Sequence, residues 1–357
     1  MGLFTPIYMK KKLNNAQWNK ACAKVRSLTD AEKLTMIALN APSETIRKTA
    51  VEALNDPGAL ARIAKEDDGS QSRVVEAAVK RLIDLGDRDA LHRAAMESSA
   101  GWRVLDSIDD ESQLAEIARK AKSAVTRAGA VCKVKDRAVL IAAASDVDGW
   151  VRRNAVAKTD DRETLVHAAL EDADGRVREA AVKNPALDDP AVLAKVAFED
   201  RERAVRQAAV GRPELIDQAV LARLALEGDS PGTRALAIKK LDDVSVLLKA
   251  IESNRRSDGG WGYTGWSAAL RLSEIAPDSA VELLVKMMKS DRYSKDEFRK
   301  ACMVRAAAFL EKRYAETVDS NVRSAIAALP SDHYGEYRSD SNSCSHSDQI
   351  AHFDLRV

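Results

Sequence analysis

The sequence predicts an all-α solenoid of about ten short two-helix repeats, closed by capping helices. Three observations carry that prediction. Val177 falls on Val205 and then on Thr233, 28 residues further each time, and the segments between them read as copies, VREAAVKNPALDDPAVLAKVAFEDRERA over VRQAAVGRPELIDQAVLARLALEGDSPG. Self-similarity at such a period marks stacked repeats. The hydrophobic 45% of the chain is mostly Ala, Leu, Val and Ile, with 4% aromatic residues, a composition suited to closely spaced helices rather than a broad sheet. Finally, leucines recur with apolar residues three and four positions on, which places all three side chains on one helical face.

The chain opens with a cap over residues 1–29, where Trp18, Ala21, Cys22 and Val25 share one helical face and cover the first repeat. The preceding GLFTPIY is expected to pack on that cap. Helix A of each repeat is then set by Leu34, Leu60, Leu91, Leu114, Leu140, Leu165, Leu193, Leu221 and Leu247, a mean spacing of about 27 residues. Helix B follows 11 to 14 residues later, anchored at Ile46, Val74, Trp102, Val125, Val151, Val177, Val205 and Thr233. So short a period leaves about ten residues per helix and room for helix B to be partly 3₁₀. Asp-rich turns at 160–162, 188–190 and 214–217 supply N-caps for A helices. Pro185 and Pro213 stop B helices.

The array covers 30–253. It is interrupted at 254–266 by NRRSDGGWGYTGW, a Gly/Trp-rich insert, and resumes over 267–330 with faces at Trp266/Ala269/Leu270, Leu284/Met287/Met288 and Phe298/Ala301/Cys302. Closing helices are expected around Val304–Tyr314 and Val322–Leu329, followed by a polar tail over 331–357.

Fifty-six basic against fifty-five acidic residues give a formal charge of +1. That balance offers no whole-molecule attraction to nucleic acid or anionic lipid, so nucleic acid is not the favoured partner and no membrane is expected. The four cysteines are scattered, with no CxxC pair, which fits a reducing compartment and a cytoplasmic protein without metal or cofactor. Cys132 and Cys302 sit in apolar helical contexts and are expected in the core. There is no transmembrane run, the N-terminal apolar residues precede the lysines, unlike a secretory signal, and Pro6 breaks the myristoylation pattern.

At VRxxAV, the Asp-rich turn and VLAxxA, the array resembles the HEAT-like superfamily over roughly residues 30–250, and more weakly to 330. Its clearest lines are similar to leucine-rich repeat variant units. The resemblance implies α-helices alternating with short 3₁₀ helices and, for most members, service as a binding scaffold; a few act as bilin lyases or DNA glycosylases. The leucine-rich repeat variant family includes a member with an N-terminal iron–sulfur cluster, but Cys22 is alone in that region, so no cluster is expected.

Three features are candidates for function. The residue after the B anchor is arginine at Arg47, Arg103, Arg152, Arg178, Arg206, Arg234 and Arg299. Such a row is either an exposed cationic stripe for an acidic partner or an internal ladder paired with turn aspartates such as Asp148, Asp174, Asp200 and Asp229; the near-zero net charge favours the ladder. Arg255, Arg256, Trp261, Tyr263 and Trp266 crowd the insert, two cations beside three aromatic rings that suit a planar or anionic ligand, unless the loop simply folds over the edge with Trp266 in the core. The tail holds His333, Cys344, His346 and His352, at spacings that match no zinc module. His92 and His167 lie beside A anchors and are expected at helix surfaces. No paired carboxylates, nucleophile–base set or HExxH motif is present. The expected function is a non-enzymatic scaffold for a protein or peptide, with Arg152, Arg178, Arg206, Arg234, Arg255, Arg256, Trp261 and Tyr263 as contact residues. A HEAT-like nucleic-acid-binding or glycosylase-like protein, for which Trp102, Trp150, Arg152 and Arg153 would serve, is the alternative, together with a bilin-lyase-like one.

Overall fold

The structure, a computed structural model, describes residues 6–10, 12–66, 73–256, 260–291, 297–316 and 320. Two compact units divide between Leu187 and Asp188. The division falls between one repeat and the next, so no repeat is split.

The first unit begins with a 3₁₀ turn (Ile7–Met9) and α1 (Asn15–Arg26). Pairs follow: α2 (Ala31–Asn40) with α3 (Glu44–Ala53), α4 (Pro57–Glu66) with α5 (Arg73–Leu85), and α6 (Arg88–Glu97) with a 3₁₀ helix (Gly101–Ser107). Next come α7 (Glu111–Lys120) with α8 (Ala124–Lys133), α9 (Arg137–Ala143) with α10 (Gly149–Lys158), and α11 (Arg162–Glu171) with α12 (Gly175–Lys183). The second unit holds α13 (Pro190–Glu199) with α14 (Arg203–Gly211), α15 (Gln218–Glu227) with α16 (Pro231–Lys240), α17 (Val244–Ser253) with α18 (Tyr263–Ile275), and α19 (Pro277–Asp291) with α20 (Glu297–Glu316). Among the described residues there is no strand, only an isolated antiparallel bridge between Arg255 and Trp261.

Within each unit the helices form two layers. Each A helix packs on the B helix that follows it, as α7 does on α8 and α15 on α16, and B helices also pack on one another, α8 on α10 and α10 on α12 in the first unit, α14 on α16 and α16 on α18 in the second. This is an all-α solenoid. Every predicted leucine anchor is buried, as are its +3 and +4 partners from Ile37/Ala38 to Ala250/Ile251, except for the half-buried Ala144. Four residues before each of those nine leucines stands an aspartate, from Asp30 to Asp243, whose carboxylate accepts backbone N–H groups of the first helical turn, for example Ala191 and Val192 on Asp189. One residue type at one position starts these nine A helices by meeting their orphan donors.

At the N-terminus α1 packs on α3. Ala21, Cys22 and Val25 are buried, Trp18 packs against the same core, and Tyr8 is buried with it, so the described part of GLFTPIY lies against the cap. Other expectations change. The third B element is the 3₁₀ helix, and Trp102 is not its buried anchor; Gly101, Val104 and Leu105 take that role. On α8 the buried residue is Thr126, and Val125 beside it is exposed. Cys132 is exposed because Val131 occupies the core slot of α8, whereas Cys302 is buried. The insert ends at Gly262, since Tyr263 already opens α18, and the faces at Ala301/Cys302 and Val304–Tyr314 belong to one continuous helix, α20. The faces around Val322–Leu329 and the tail 331–357 lie outside the described residues.

The 3₁₀ helix lies so close to α6 that a Cβ on Gly101 would come within 2.6 Å of the Ala95 carbonyl oxygen and 2.8 Å of that of Ala94. Both are backbone atoms and cannot rotate away. Gly101→Ala is expected to destabilise the first unit by about 1–3 kcal/mol, read as a lower urea midpoint at unchanged slope.

Candidate functional site

Much of the arginine row lies inside the repeat stack, and Arg152 and Arg206, joined by Arg127, form a ladder with two-ended contacts. At one end the guanidinium caps its own A helix. Nη1 donates to a carbonyl six residues earlier, Arg127 to Ala121 at 2.9 Å, Arg152 to Asp146 at 2.9 Å, Arg178 to Asp172 at 2.9 Å and Arg234 to Gly228 at 2.6 Å, with Arg206 on Asp200 in the same way. Except for Asp146, which lies in the turn after α9, these are the C-cap residues of A helices, where a cation also meets the negative end of the dipole. At the other end Nε and Nη2 clamp an aspartate in the next turn. Arg127 holds Asp146 at 2.8 and 2.9 Å, Arg152 holds Asp172 at 2.8 and 2.9 Å, and Arg206 holds Asp229. Bidentate pairs of this kind are strong and directional.

This places Arg152, Arg178 and Arg206 in the ladder rather than in an open stripe; Arg178 is only 3% exposed. Two of the expected partners shift by two residues. Asp148 and Asp174 are N-caps of α10 and α12, while Asp146 and Asp172 pair with the arginines. Asp229 pairs as expected, and Asp200 contributes its carbonyl and accepts from the Glu202 N–H. Arg127, absent from the predicted row, is a full rung; Arg103 leaves it, bonding Glu76 at 2.7 Å and lying over the Trp102 ring. The Arg299 side chain lies outside the described residues.

Burial pushes the carboxyls of Asp146 and Asp172 up, but the clamping arginine and the N–H of Asp148 or Asp174 outweigh it, and both end below the usual 3.8. A carboxylate depressed in the folded state stabilises fully above its unfolded pKa and loses that contribution as pH falls through the folded one. The melting temperature is therefore expected to hold from neutrality to about pH 5 and to drop below about pH 4, with a shallower drop in Asp146→Asn.

A second series of links joins the C-terminal ends of B helices. Arg81 donates to the Leu54 carbonyl at 3.1 Å, Lys133 to Leu105 at 2.6 Å, Lys158 to Cys132 at 2.6 Å, Asn184 to Val156 and Thr159 at 2.8 Å, and Arg271 to Leu241 at 3.1 Å, with Lys240 on Arg212. Each acceptor lies at the end of the preceding B helix. Burial at that end pushes the Lys240 ammonium below the usual lysine value. Much of the basic inventory is thus structural.

The insert folds back on itself. Arg256 N–H donates to Gly260 at 2.8 Å and Gly262 N–H to Asn254 at 2.9 Å, around the Arg255–Trp261 bridge. Trp261 is 3% exposed and Trp266 fully buried, so two of the three aromatic rings face the core. Tyr263 is half-buried at the start of α18, and Arg255 and Arg256 are exposed, Arg255 lying 5.7 Å from the Trp261 ring centroid. His167 is exposed as expected, whereas His92 is half-buried, 3.6 Å from Glu116.

Exposed apolar side chains gather elsewhere. Trp102 (44% exposed), Val125 (57%) and Trp150 (48%) stand at the starts of three successive B elements, the 3₁₀ helix, α8 and α10, which pack side by side; Val147 (93%) is in the turn before Trp150. The rings are held from one side by cations, Arg103 at 4.7 Å from Trp102 and Arg153 at 4.9 Å from Trp150. An open cleft of about 510 Å³ between α3 and α5 is lined by Lys48, Glu52, Arg73, Glu76, Lys80 and Arg81, charges of both signs without a chemical focus. Among the described residues no His, Cys, Asp and Glu group has the arrangement of a metal site, and no helix is long and apolar enough to cross a membrane.

Comparison with known proteins adds little. No family model matches the chain, and no curated protein matches it. One similar solved structure is a crystal structure of an engineered protein from the Northeast Structural Genomics Consortium, 16% identical, covering 90% of this chain and 96% of that one with a TM-score of 0.25. So loose a superposition carries no argument. The fold rests on the paired helices themselves.

Proposed function

We propose that the protein is a non-enzymatic scaffold that holds a protein or peptide partner, and that Trp102, Val125, Val147 and Trp150 form the contact surface. The observation that carries this reading is the exposure of two of the chain's five tryptophans, on neighbouring elements, in a protein with few aromatic residues. Tryptophan is enriched among residues that dominate binding, and exposed apolar groups clustered together mark interaction surfaces. Arg103 and Arg153 hold the rings and lend the surface a positive rim, which favours a partner segment carrying both apolar side chains and carboxylates. The resemblance of the repeats to HEAT-like and leucine-rich repeat variant units supports a scaffold, and scattered thiols support a cytoplasmic setting.

The contact residues in this reading differ from the arginine row. Substitution of Arg178 or Arg206 by glutamate would break the stack rather than report on a surface. The test is co-purification from the native host. A stoichiometric partner retained by the wild type is expected to be lost from Trp102→Ala/Trp150→Ala, at an unchanged melting temperature. Equal retention by the double variant would refute the surface. The arginine-backed rings would also stack on nucleic-acid bases; a DNA or RNA gel shift that weakens with salt and requires both tryptophans would replace the protein partner by a nucleic acid.

A further inference from the structure

Arg234 occupies the ladder position on α16 but lacks the carboxylate that Arg127, Arg152 and Arg206 clamp. In the rungs of Arg127, Arg152 and Arg206 the aspartate lies 19, 20 and 23 residues further on. The same interval from Arg234 reads Ser253, Asn254, Arg255, Arg256 and Ser257, with no acidic residue. Counted from the helix instead, the aspartate stands one or two residues before the N-cap in the other rungs, as Asp172 does before Asp174 and Asp229 before Ser230. Before the N-cap of α18, Gly262, those places hold Gly260 and Trp261, and Gly262 provides no side-chain cap.

The rest of the rung is intact. Arg234 Nη1 caps Gly228 at 2.6 Å, and its Nε meets the Thr264 hydroxyl oxygen at 3.3 Å. Half-buried, Arg234 makes no ion pair among the described residues. Thr264 itself is 1% exposed. With Nε on Thr264 and Nη1 on Gly228, Nη2 is left to donate to a carboxylate oxygen placed beside the Thr264 hydroxyl.

We propose that the Nη2 edge of Arg234 is a carboxylate-binding site, in which an external carboxylate takes the place that an aspartate holds in the other rungs. The Thr264 hydroxyl accepts from Nε and directs its own hydrogen toward the ligand. The exposed Arg255 and Arg256 nearby in the sequence raise the local concentration of anions. Acidic side chains of a peptide and small free carboxylates share this chemistry. The proposal does not rest on the tryptophan row.

The test is a titration of arginine-labelled protein, following the Arg234 Nε–Hε resonance, which is identified by its loss in Arg234→Gln. A blocked aspartate dipeptide and acetate are the two carboxylate probes, and inorganic phosphate is the contrast. A saturable shift in the millimolar range is expected with the carboxylates, weaker with phosphate. A clear advantage of the dipeptide over acetate assigns the site to a peptide; equal binding assigns it to a free carboxylate. Thr264→Asp keeps Arg234 but places a carboxylate within the rung, so it should abolish the shift and raise the melting temperature, whether or not Arg234→Gln folds. Asp258 is the only acidic residue between Glu252 and Glu274, and Asp258→Asn should leave the titration unchanged. The proposal fails if the wild type shows no saturable shift, if Thr264→Asp binds as well as the wild type, if phosphate binds more tightly than the carboxylates, or if binding appears only in Asp258→Asn.

Discussion

Arg152→Ala is expected to destabilise the first unit by about 3–5 kcal/mol, a large part of what a domain of this kind possesses. The side chain makes bonds in two directions, to the carbonyls of Asp146 and Val147 at 2.9 and 3.2 Å and to both oxygens of Asp172. Removing it leaves the Asp172 carboxylate, only 9% exposed, with the Asp174 N–H as its remaining donor, and frees the Asp146 and Val147 carbonyls in the turn between α9 and α10 at the same time. Loss of one partner of a buried pair is far worse than loss of both. The paired variant Arg152→Met/Asp172→Leu should therefore recover much of the deficit, and a double-mutant cycle on urea midpoints would measure the coupling. Equal destabilisation in the single and double variants would show that the clamp carries little of the energy.

The second large effect is expected at Trp266. It is the largest fully buried side chain in the protein, seated on α18 between α16 and α20. Trp266→Ala should destabilise the second unit by about 3–5 kcal/mol through lost apolar burial and the cavity left behind. The same change at Trp102 or Trp150, each nearly half exposed, is expected to move stability by less than about 0.5 kcal/mol. Chemical denaturation of the three single variants, monitored by circular dichroism, tests the contrast directly.

The architecture was legible because the period is set by burial. A leucine with two apolar partners must face a neighbour in every repeat, so the anchor repeats wherever the packing does. The capping aspartate four residues upstream was equally available, though only three of those turns stand out as acidic clusters. The candidate site was less legible. At α8 a search for apolar anchors selects Val125 over Thr126, because hydropathy ranks valine higher; the structure buries the threonine, whose Oγ1 finds no hydrogen-bond partner. Spacing from Leu114 would have chosen correctly, since Thr126 restores the interval of twelve found in most repeats. That one-residue slip also hid Arg127. The partner aspartates were displaced for a different reason. Nη1 is committed to the A-helix carbonyl, which turns the Nε edge toward the start of the next turn rather than its end. The insert gave no such clue, because the burial of Trp261 goes with its bridge to Arg255 rather than with any periodic face.

The two series of links share a direction. Arginines such as Arg127, Arg152 and Arg206 reach forward to the following repeat, and the lysine, asparagine or arginine at the far end of helix B reaches back to the preceding one. Where both links form, as between α10 and α12, the joint is made by the same two plugs and the same two sockets. A gene that copied one such segment in frame would add a module whose joints already match on both sides, and excising one would leave its former neighbours able to close on each other. Lengthening or shortening by whole modules thus needs no compensating change, whereas an insertion of a few residues at a joint would separate a plug from its socket.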